Sequence, residues 1–209
     1  VILNTNPNGS SITRNSSGDL IGVTTTYFNE ESTEVSGVDL NFNRLISTSE
    51  KYGDVSLSIN STTLIEFLTP ALSNEGGEFM IDRVGKFNYD TNTHSLPKNR
   101  INAFLNWKYQ DYDINFNSRY IHGYSNQRSI NSLGTLYGYS NSVDSFFVHD
   151  LSLKKQLFTN KGELNIKLSI INLFDESAPR LYDAPDFSFD TRVHDPRGRI
   201  VGINFEYRH

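Results

Sequence analysis

Apolar and polar residues alternate at every second position in segment after segment of this chain. In the last segment, Ile203, Phe205 and Tyr207 alternate with glycine, asparagine, glutamate and arginine. Successive side chains of a β-strand point to opposite faces, so a period of two gives a strand one apolar and one polar face. The pattern therefore predicts strands that separate two different environments.

The alternating segments occur in pairs joined by short turns. The three pairs are residues 38–42 with 55–59, residues 103–109 with 112–120, and residues 147–157 with 164–170. The turns are predicted near residues 50–54, 110–111 and 159–162. Long polar loops are predicted at residues 6–34, 69–98, 125–144 and 174–196, with a local hairpin formed by Leu20–Val23 and the pair Tyr27 and Phe28.

Helical periodicity with capping residues is missing, so the segments are read as antiparallel strands. Short turns then gather at one rim of an up-and-down sheet and long loops at the other. This arrangement is typical of an outer-membrane β-barrel, whose outer face is apolar because lipid offers the backbone no hydrogen-bonding partner. Aromatic residues that fit the two membrane interfaces are Trp107, Tyr109, Tyr112, Tyr120, Tyr124 and Tyr207.

Composition excludes several classes of protein. The formal net charge is -5 and no basic stripe appears, which argues against a nucleic-acid partner. The chain has no cysteine, so disulfides and thiolate metal sites are excluded. No run approaches the roughly 18 apolar residues of a transmembrane helix. The first residues lack the pattern of a signal peptide and read as the end of a strand, so we expect a fragment of a longer protein.

No constellation of catalytic or metal-binding residues stands out. The five histidines show no metal-ligand spacing, the Gly-x-Ser-x-Gly elbow is missing, and the acidic loops lack the EF-hand order. We therefore predict no catalytic residues, no metal site and no cofactor, and a protein that is not an enzyme. A barrel lipase without that elbow stays open as a weaker alternative.

Two motifs near the C-terminus carry a family resemblance. Residues 171–176 read Ile-Asn-Leu-Phe-Asp-Glu with Pro179 after them, and residues 195–203 read Asp-Pro-Arg-Gly-Arg-Ile-Val-Gly-Ile. Together they resemble the closing segments of TonB-dependent outer-membrane receptors. Asn29 followed by residues 35–40, and Arg14 with Gly18, resemble upstream segments of the same family.

The resemblance implies the C-terminal part of a 22-stranded barrel that encloses an N-terminal plug. Residues 1–209 would then supply about seven strands plus a stub at residues 1–5. The plug and the TonB-contacting segment are not visible in this chain. The implied location is the bacterial outer membrane, and the implied function is active import of a ferric siderophore, haem, cobalamin or an oligosaccharide.

The implied partners are the TonB–ExbB–ExbD complex, the barrel-assembly machinery, outer-membrane lipid and the imported ligand. Gly202, Phe205 and Tyr207 resemble the signal that the assembly machinery reads. Loop residues that are candidates for ligand contact are Arg83, Tyr89, His94, Arg128, Tyr137, Arg180, Tyr182 and His194. Inward-facing charged residues expected to form ion pairs are Asp39, Lys108, Arg119, Asp150, Lys154, Lys167, Glu206 and Arg208.

Two alternatives remain open from the sequence. A passive porin-like channel would share the alternation and the loops. A soluble all-β carbohydrate-binding domain would instead bury its apolar rows in one core. The residues of these rows are Val38, Leu40, Phe42, Leu151, Leu153, Leu164, Ile166 and Leu168.

Overall fold

The computed structural model describes residues 12–24, 32–72, 78–89, 94–184 and 187–209, without the side chains of residues 72 and 78. The described part is all-β apart from one short helix. The strands are β1 (Ile12–Arg14), β2 (Leu20–Val23), β3 (Glu34–Ser49), β4 (Gly53–Leu72), β5 (Glu78–Asp82), β6 (Asn99–Tyr109), β7 (Tyr112–Ile121), β8 (Tyr124–Ser125), β9 (Ser142–Val143), β10 (Phe146–Thr159), β11 (Gly162–Ile171) and β12 (Ile200–Arg208), and helix α1 is Ser132–Leu136.

The main sheet has eight strands, in the order β12-β11-β10-β7-β6-β4-β3, with β5 paired to β4 beside this path. The long strands follow one another in chain order, and the neighbours from β4 to β12 along this path pair antiparallel, as do β4 and β5. The prediction of antiparallel strands in up-and-down order is confirmed. Among the described strands, the path ends at β3 and β12 without closing.

Contacts divide the chain into two compact units. The first comprises Val1–Ser36 and Glu66–Arg83, and the second comprises Gly37–Ile65 and Val84–His209. The two-stranded sheet of β1 and β2 belongs to the first unit. The surfaces and clusters described below lie within the second unit unless stated otherwise.

Three hairpins turn where the sequence predicts short turns. Gly53 and Gly162 each begin the second strand of a hairpin and have positive φ angles of 77° and 147°. A Cβ at Gly53 would collide with the carbonyl oxygen of Lys108, and one at Gly162 with that of Arg208. Glycine is therefore required at both places, by the backbone angle and by the close approach of the neighbouring strand.

The loops contain more structure than the sequence predicts. β2 pairs with β1, which the sequence did not predict. The predicted partners of Leu20–Val23, which are Tyr27 and Phe28, lie outside the described residues, as does the stub at residues 1–5. β4 continues to Leu72 and pairs with β5 in the predicted 69–98 loop. Helix α1 was not predicted, and Asn131 caps it by accepting a 2.7 Å hydrogen bond from Gly134 N.

Buried apolar residues of the described part cluster among the loops. Phe87, Tyr124, Val143 and Leu181 form this cluster, and Ala184 and Val193 pack against it. They come from segments that are far apart in sequence and follow different strands. The packed core therefore sits at the long-loop end of the strands, while the sheet faces remain open over much of their area. The described part contains no helix that is long and apolar enough to cross a membrane.

Candidate functional site

One face of the main sheet is apolar across six strands. Its rows follow from the strand register, which makes each residue of a row the direct partner of the next. The first row is Ile203, Leu168, Leu153, Ile114, Trp107 and Val55, and the second is Val201, Ile170, Leu151, Phe116, Leu105 and Leu57. On the outer strand β12, Ile203 is 63% exposed and Phe205 is 67% exposed, whereas Leu151 and Leu153 on the central strand β10 are half-buried.

Aromatic residues border the apolar face at its short-turn end. The rings of Trp107 and Tyr109 stack at 6.1 Å, and Trp107 Nε1 donates a 2.7 Å hydrogen bond to the carbonyl of Tyr52. Lys155 lies on the same face, yet its ammonium group donates to the Tyr112 hydroxyl at 2.5 Å and lies 4.2 Å from the ring centroid. Long side chains with a charged end adopt such positions where an apolar surface meets water.

A second aromatic group borders the same face at the long-loop end. Phe147 lies edge-on to Tyr120 at 6.0 Å and to His149 at 4.3 Å. Ser118 Oγ and His149 Nδ1 are 2.8 Å apart, and His149 also meets the ring of Phe174. Both borders of the apolar face therefore combine aromatic rings with polar side-chain atoms.

The other face of the sheet is polar. One row across it is Asn204, Lys167, Lys154, Asp113, Lys108 and Asp54, and the next is Gly202, Ser169, Ser152, Asn115, Asn106 and Ser56. Arg119 Nη2 and Asp150 Oδ1 form an ion pair at 3.1 Å, as Arg208 and Glu206 do at 2.8 Å. The predicted inward-facing charged residues that lie on this face are Lys108, Arg119, Asp150, Lys154, Lys167, Glu206 and Arg208.

A cavity of about 180 Å³ lies where the polar face meets the loops. Three arginines from three segments line it, namely Arg100 on β6, Arg119 on β7 and Arg197 before β12. Asp195 is a further lining residue, and the Arg197 guanidinium hydrogen-bonds both of its oxygens at 2.7 to 3.1 Å. These bonds hold the pKa of the Asp195 carboxyl down to about 2, so it is charged near neutral pH.

A buried polar cluster fastens the loops beside this cavity. Asp190 accepts hydrogen bonds from Ser95 Oγ and from the Tyr124 hydroxyl, the latter at 3.2 Å. The Tyr124 ring stacks on His194, and its hydroxyl lies 3.3 Å from His194 Nε2. All four residues are at most 5% exposed. Tyr124 is thus a loop-core residue, and the prediction that it lies at a membrane interface is wrong.

Burial controls the ionisation of this cluster. It lowers the pKa of His194 to about 4; the Asp190 carboxylate acts in the opposite direction and the charge of Arg100 adds to the lowering. Burial also raises the pKa of the Tyr124 hydroxyl, and the Asp190 carboxylate raises it further. Both rings are therefore neutral near pH 7. Within the described residues, His194 Nδ1 is buried without a hydrogen-bond partner.

Several predicted ligand residues form pairs of an arginine with an aromatic ring. Arg128 lies 4.2 Å from the ring centroid of Tyr89 and forms a 3.1 Å ion pair with Asp183. Arg180 lies 4.2 Å from the ring centroid of Tyr139 and donates to the carbonyl of Tyr137 at 2.9 Å.

The other predicted ligand residues have different surroundings. Tyr182 meets Tyr139 edge-on at 5.6 Å, and His94 contacts Arg192. His194 is in the buried cluster. In the first unit, Arg83 is buried and its Nε donates to Thr69 Oγ1 at 2.8 Å. The predicted residues therefore do not form one continuous site.

The two C-terminal motifs meet in space. Asn172, at a positive φ of 53°, accepts from Glu176 N at 2.9 Å and donates to the carbonyls of Glu176 and Arg197. Asp175 Oδ1 accepts from Arg199 N at 2.7 Å. The end of β11 and the start of β12 are thus joined by these two side chains. On β12, Phe205 and Tyr207 of the proposed assembly signal lie on the apolar face and Gly202 on the polar face.

Comparison with protein-family models, with curated proteins and with solved structures finds no match to this chain. Among the described residues, no three histidine, aspartate or glutamate side chains are grouped so as to hold a metal ion. Sequence reasoning placed Arg119 on the polar face but missed the cavity. One local signal of the cavity was present in the sequence. Phe146 and Val148 lie on the polar side of β10, where the alternation predicts polar residues.

Proposed function

We propose that this chain forms the C-terminal part of the wall of a TonB-dependent outer-membrane transporter, which imports a scarce ligand into the periplasm. The ligand class is a ferric siderophore, haem, cobalamin or an oligosaccharide. The barrel wall would separate lipid from a polar lumen, and energy would arrive through TonB, ExbB and ExbD. The motifs at residues 171–176 and 195–203 support this family assignment.

One observation carries the proposal: one face of the sheet is apolar, is half-buried on most of its central strands and exposed on its outer ones, and is bordered at both ends by aromatic residues. A soluble β-sandwich packs such a face against a second sheet. Here Val38 is 57% exposed and Leu40 is 58% exposed, and the buried core lies among the loops. This distribution favours a lipid-facing surface over the carbohydrate-binding domain considered above.

The length of the apolar face agrees with the proposal. Tyr112 and Tyr120 mark its two borders on β7 and are about eight residue steps apart, or about 27 Å at roughly 3.4 Å per residue. At the typical strand tilt of about 40°, this corresponds to about 21 Å across a bilayer, near the roughly 25 Å band of known outer-membrane barrels.

Depth-dependent quenching tests the membrane placement. Single cysteines are introduced at Leu151 and Leu153 on the apolar face and at Ser152 on the polar face, and each is labelled with a bimane dye in the protein embedded in lipid. We expect lipid-borne nitroxides to quench the first two labels and aqueous iodide to quench the third. Equal quenching of all three labels by either reagent would contradict the placement.

Uptake under an energy block separates active import from passive diffusion. Cells with and without the protein are given radiolabelled ferric siderophore, haem, cobalamin or maltodextrin. Active import predicts that uptake of one ligand depends on the protein and stops when a protonophore collapses the proton gradient. A porin-like channel would continue to admit its solute after the protonophore is added.

A further inference from the structure

The arginine-lined cavity has the composition of a binding site for a negatively charged group. Arg100, Arg119 and Arg197 project into it from β6, β7 and the loop before β12. The apolar side chains of Phe146, Val148 and Val193 complete much of the remaining wall. An ion held beside apolar walls is less screened than one in open water, so the guanidinium groups attract an anion strongly here.

Three arginines and one aspartate line the cavity, so its lining carries an excess of positive charge. Arg119 is paired with Asp150 and Arg197 with Asp195. Arg100 forms no hydrogen bond or ion pair within the described residues, although it acts electrostatically on Tyr124 and His194. His194 and Tyr124 are neutral, and the nearby Asp190 already accepts hydrogen bonds from Ser95, Tyr124 and the backbone of Arg192. One guanidinium thus remains available for an incoming anion.

A second donor in the cavity also lacks a partner. Arg119 Nε is shielded from solvent and makes no hydrogen bond within the described residues. Arg119 uses its Nη2 for Asp150, so the Nε edge of the same guanidinium is left over. An acceptor oxygen supplied from outside would satisfy this donor, and a planar carboxylate suits the fork of an arginine.

Size limits the occupant. Binding pockets for drug-sized ligands usually measure about 300 to 1,000 Å³. At about 180 Å³, this cavity accommodates a compact group and not a whole haem or cobalamin. Its mixture of arginine and apolar wall fits a carboxylate on a small apolar or aromatic body.

We propose that this cavity binds one organic carboxylate, carried either by a free small molecule or by an acidic side chain from another part of the polypeptide. The Arg100 guanidinium and Arg119 Nε bind the carboxylate oxygens, and Phe146, Val148 and Val193 contact its body. This inference concerns the cavity alone and is independent of the import function.

Fluorine NMR of 4-fluorobenzoate tests the proposal on the whole protein in an uncharged detergent. The neutral 4-fluorobenzamide has nearly the same shape and serves as the matched probe. We expect saturable broadening of the benzoate signal and none beyond detergent partitioning for the benzamide. Equal binding of the two probes would overturn the proposal.

Two variants assign the binding to this cavity. Arg100→Gln removes the available charge and breaks no hydrogen bond of the described structure, and Asn102→Asp adds a carboxylate to the lining. We expect each to weaken benzoate binding about tenfold or more, as for loss of a charge-assisted hydrogen bond. Lys154→Gln is the control, because it removes a positive charge from the same face about 20 Å along β10 from Val148. Equal affinity in all four proteins would overturn the proposal.

The source of the carboxylate is resolved by thermal unfolding. If the parent does not bind benzoate but Arg100→Gln lowers its melting temperature and Lys154→Gln does not, the cavity is occupied by an acidic side chain of the protein itself. If the parent neither binds benzoate nor loses stability in Arg100→Gln, the proposal is wrong. Circular dichroism spectra identical to that of the parent establish that each variant is folded.

Discussion

Arg119 on β7 and Asp150 on β10 form an ion pair at 3.1 Å on the polar face, beside the cavity. Asp150 also accepts hydrogen bonds from Asn117 Nδ2 at 3.2 Å and from the backbone N–H of Asn172 at 3.0 Å. This one carboxylate therefore connects β7 and β10 to the residue that follows β11. With three donors from two separate segments, Asp150 is the most connected acidic residue of the polar face described above.

Replacing Asp150 by asparagine should destabilise the protein and strengthen carboxylate binding. The amide loses the charge and faces three donors with a single acceptor oxygen, so we expect a loss of about 1 to 2 kcal/mol in the free energy of unfolding. Arg119 gains a second unoccupied edge, which should raise the affinity for 4-fluorobenzoate. Denaturant unfolding and fluorine NMR measure the two effects.

Glu206→Gln is the matched control, since it breaks the exposed ion pair with Arg208 on the same face. Exposed pairs contribute about 0 to 1 kcal/mol, so little change is expected. Similar losses in both variants would contradict the special position of Asp150.

Arginine should be tolerated on one face of β10 and not on the other. Leu153 lies in the middle of the apolar face, so Leu153→Arg is expected to reduce the free energy of folding in lipid by about 2 to 4 kcal/mol. Ser152→Arg places the same side chain one residue away among Asn115 and Ser169, where it should be accepted. The folded fraction is measured by heat-modifiable mobility after insertion into vesicles; equal folded fractions would argue against a lipid-facing surface.

Acidification should loosen the loops through His194. Its pKa falls from 6.5 in the unfolded chain to about 4 in the folded protein, because burial disfavours the charged ring. The folded state therefore binds fewer protons than the unfolded state, and its stability should fall as the pH drops from about 6.5 to about 4, by at most about 3 kcal/mol. Hydrogen exchange of the loop amides, followed across this range, measures the effect.

His194→Phe tests the assignment of that pH dependence. Phenylalanine retains the ring contacts with Tyr124 and Phe146 but cannot be protonated. We expect the variant to lose the part of the pH dependence between pH 4 and 6.5. An unchanged profile would assign the dependence to other groups.

Alanine at Gly162 should be costly. The positive φ and the carbonyl of Arg208 both exclude a Cβ, so Gly162→Ala is expected to lower the stability by more than about 1 kcal/mol and to weaken the pairing of β11 with β12. Gly22→Ala serves as the control, because the added methyl meets only ordinary contacts with Thr13. Thermal unfolding measures the melting temperature of each variant. Equal melting temperatures would show that the close approach of β12 to Gly162 does not exclude a larger residue at this position.

The strands and hairpins were predictable because their signal is local. The alternation around Leu153 or Ile166 reports the two faces of a strand directly, and glycine or polar residues mark the short turns. Helix α1 was missed because five residues give too little helical periodicity to detect. The tertiary structure of the loops was missed for another reason: Ser95 and Asp190 meet although 95 residues separate them in sequence, and no local pattern encodes that contact.

The cavity was also predictable only in part, because it is built from a strand residue with a local signal and from loop residues without one. Arg119 was placed on the polar face from its position in β7, since strand parity alone decides that. Arg197 lies in a loop, and tertiary contacts such as the hydrogen bonds of Asn172 and Asp175 bring that loop against the sheet. Binding sites assembled from both strands and loops are thus only half visible in a sequence.

The hydrogen bonds by which Asn172 and Asp175 join the end of β11 to the start of β12, here called the clasp, affect how the sequences of related proteins can diverge. Since both ends of the intervening segment are pinned to each other, lengthening or shortening its middle leaves the alignment of β11 with β12 untouched. Insertions and deletions that spare the buried residues Leu181, Asp190 and His194 of this segment are selectively cheap, whereas changes to the clasp are not. The segment is therefore a place where related proteins can acquire new molecular preferences without refashioning the strands beneath it.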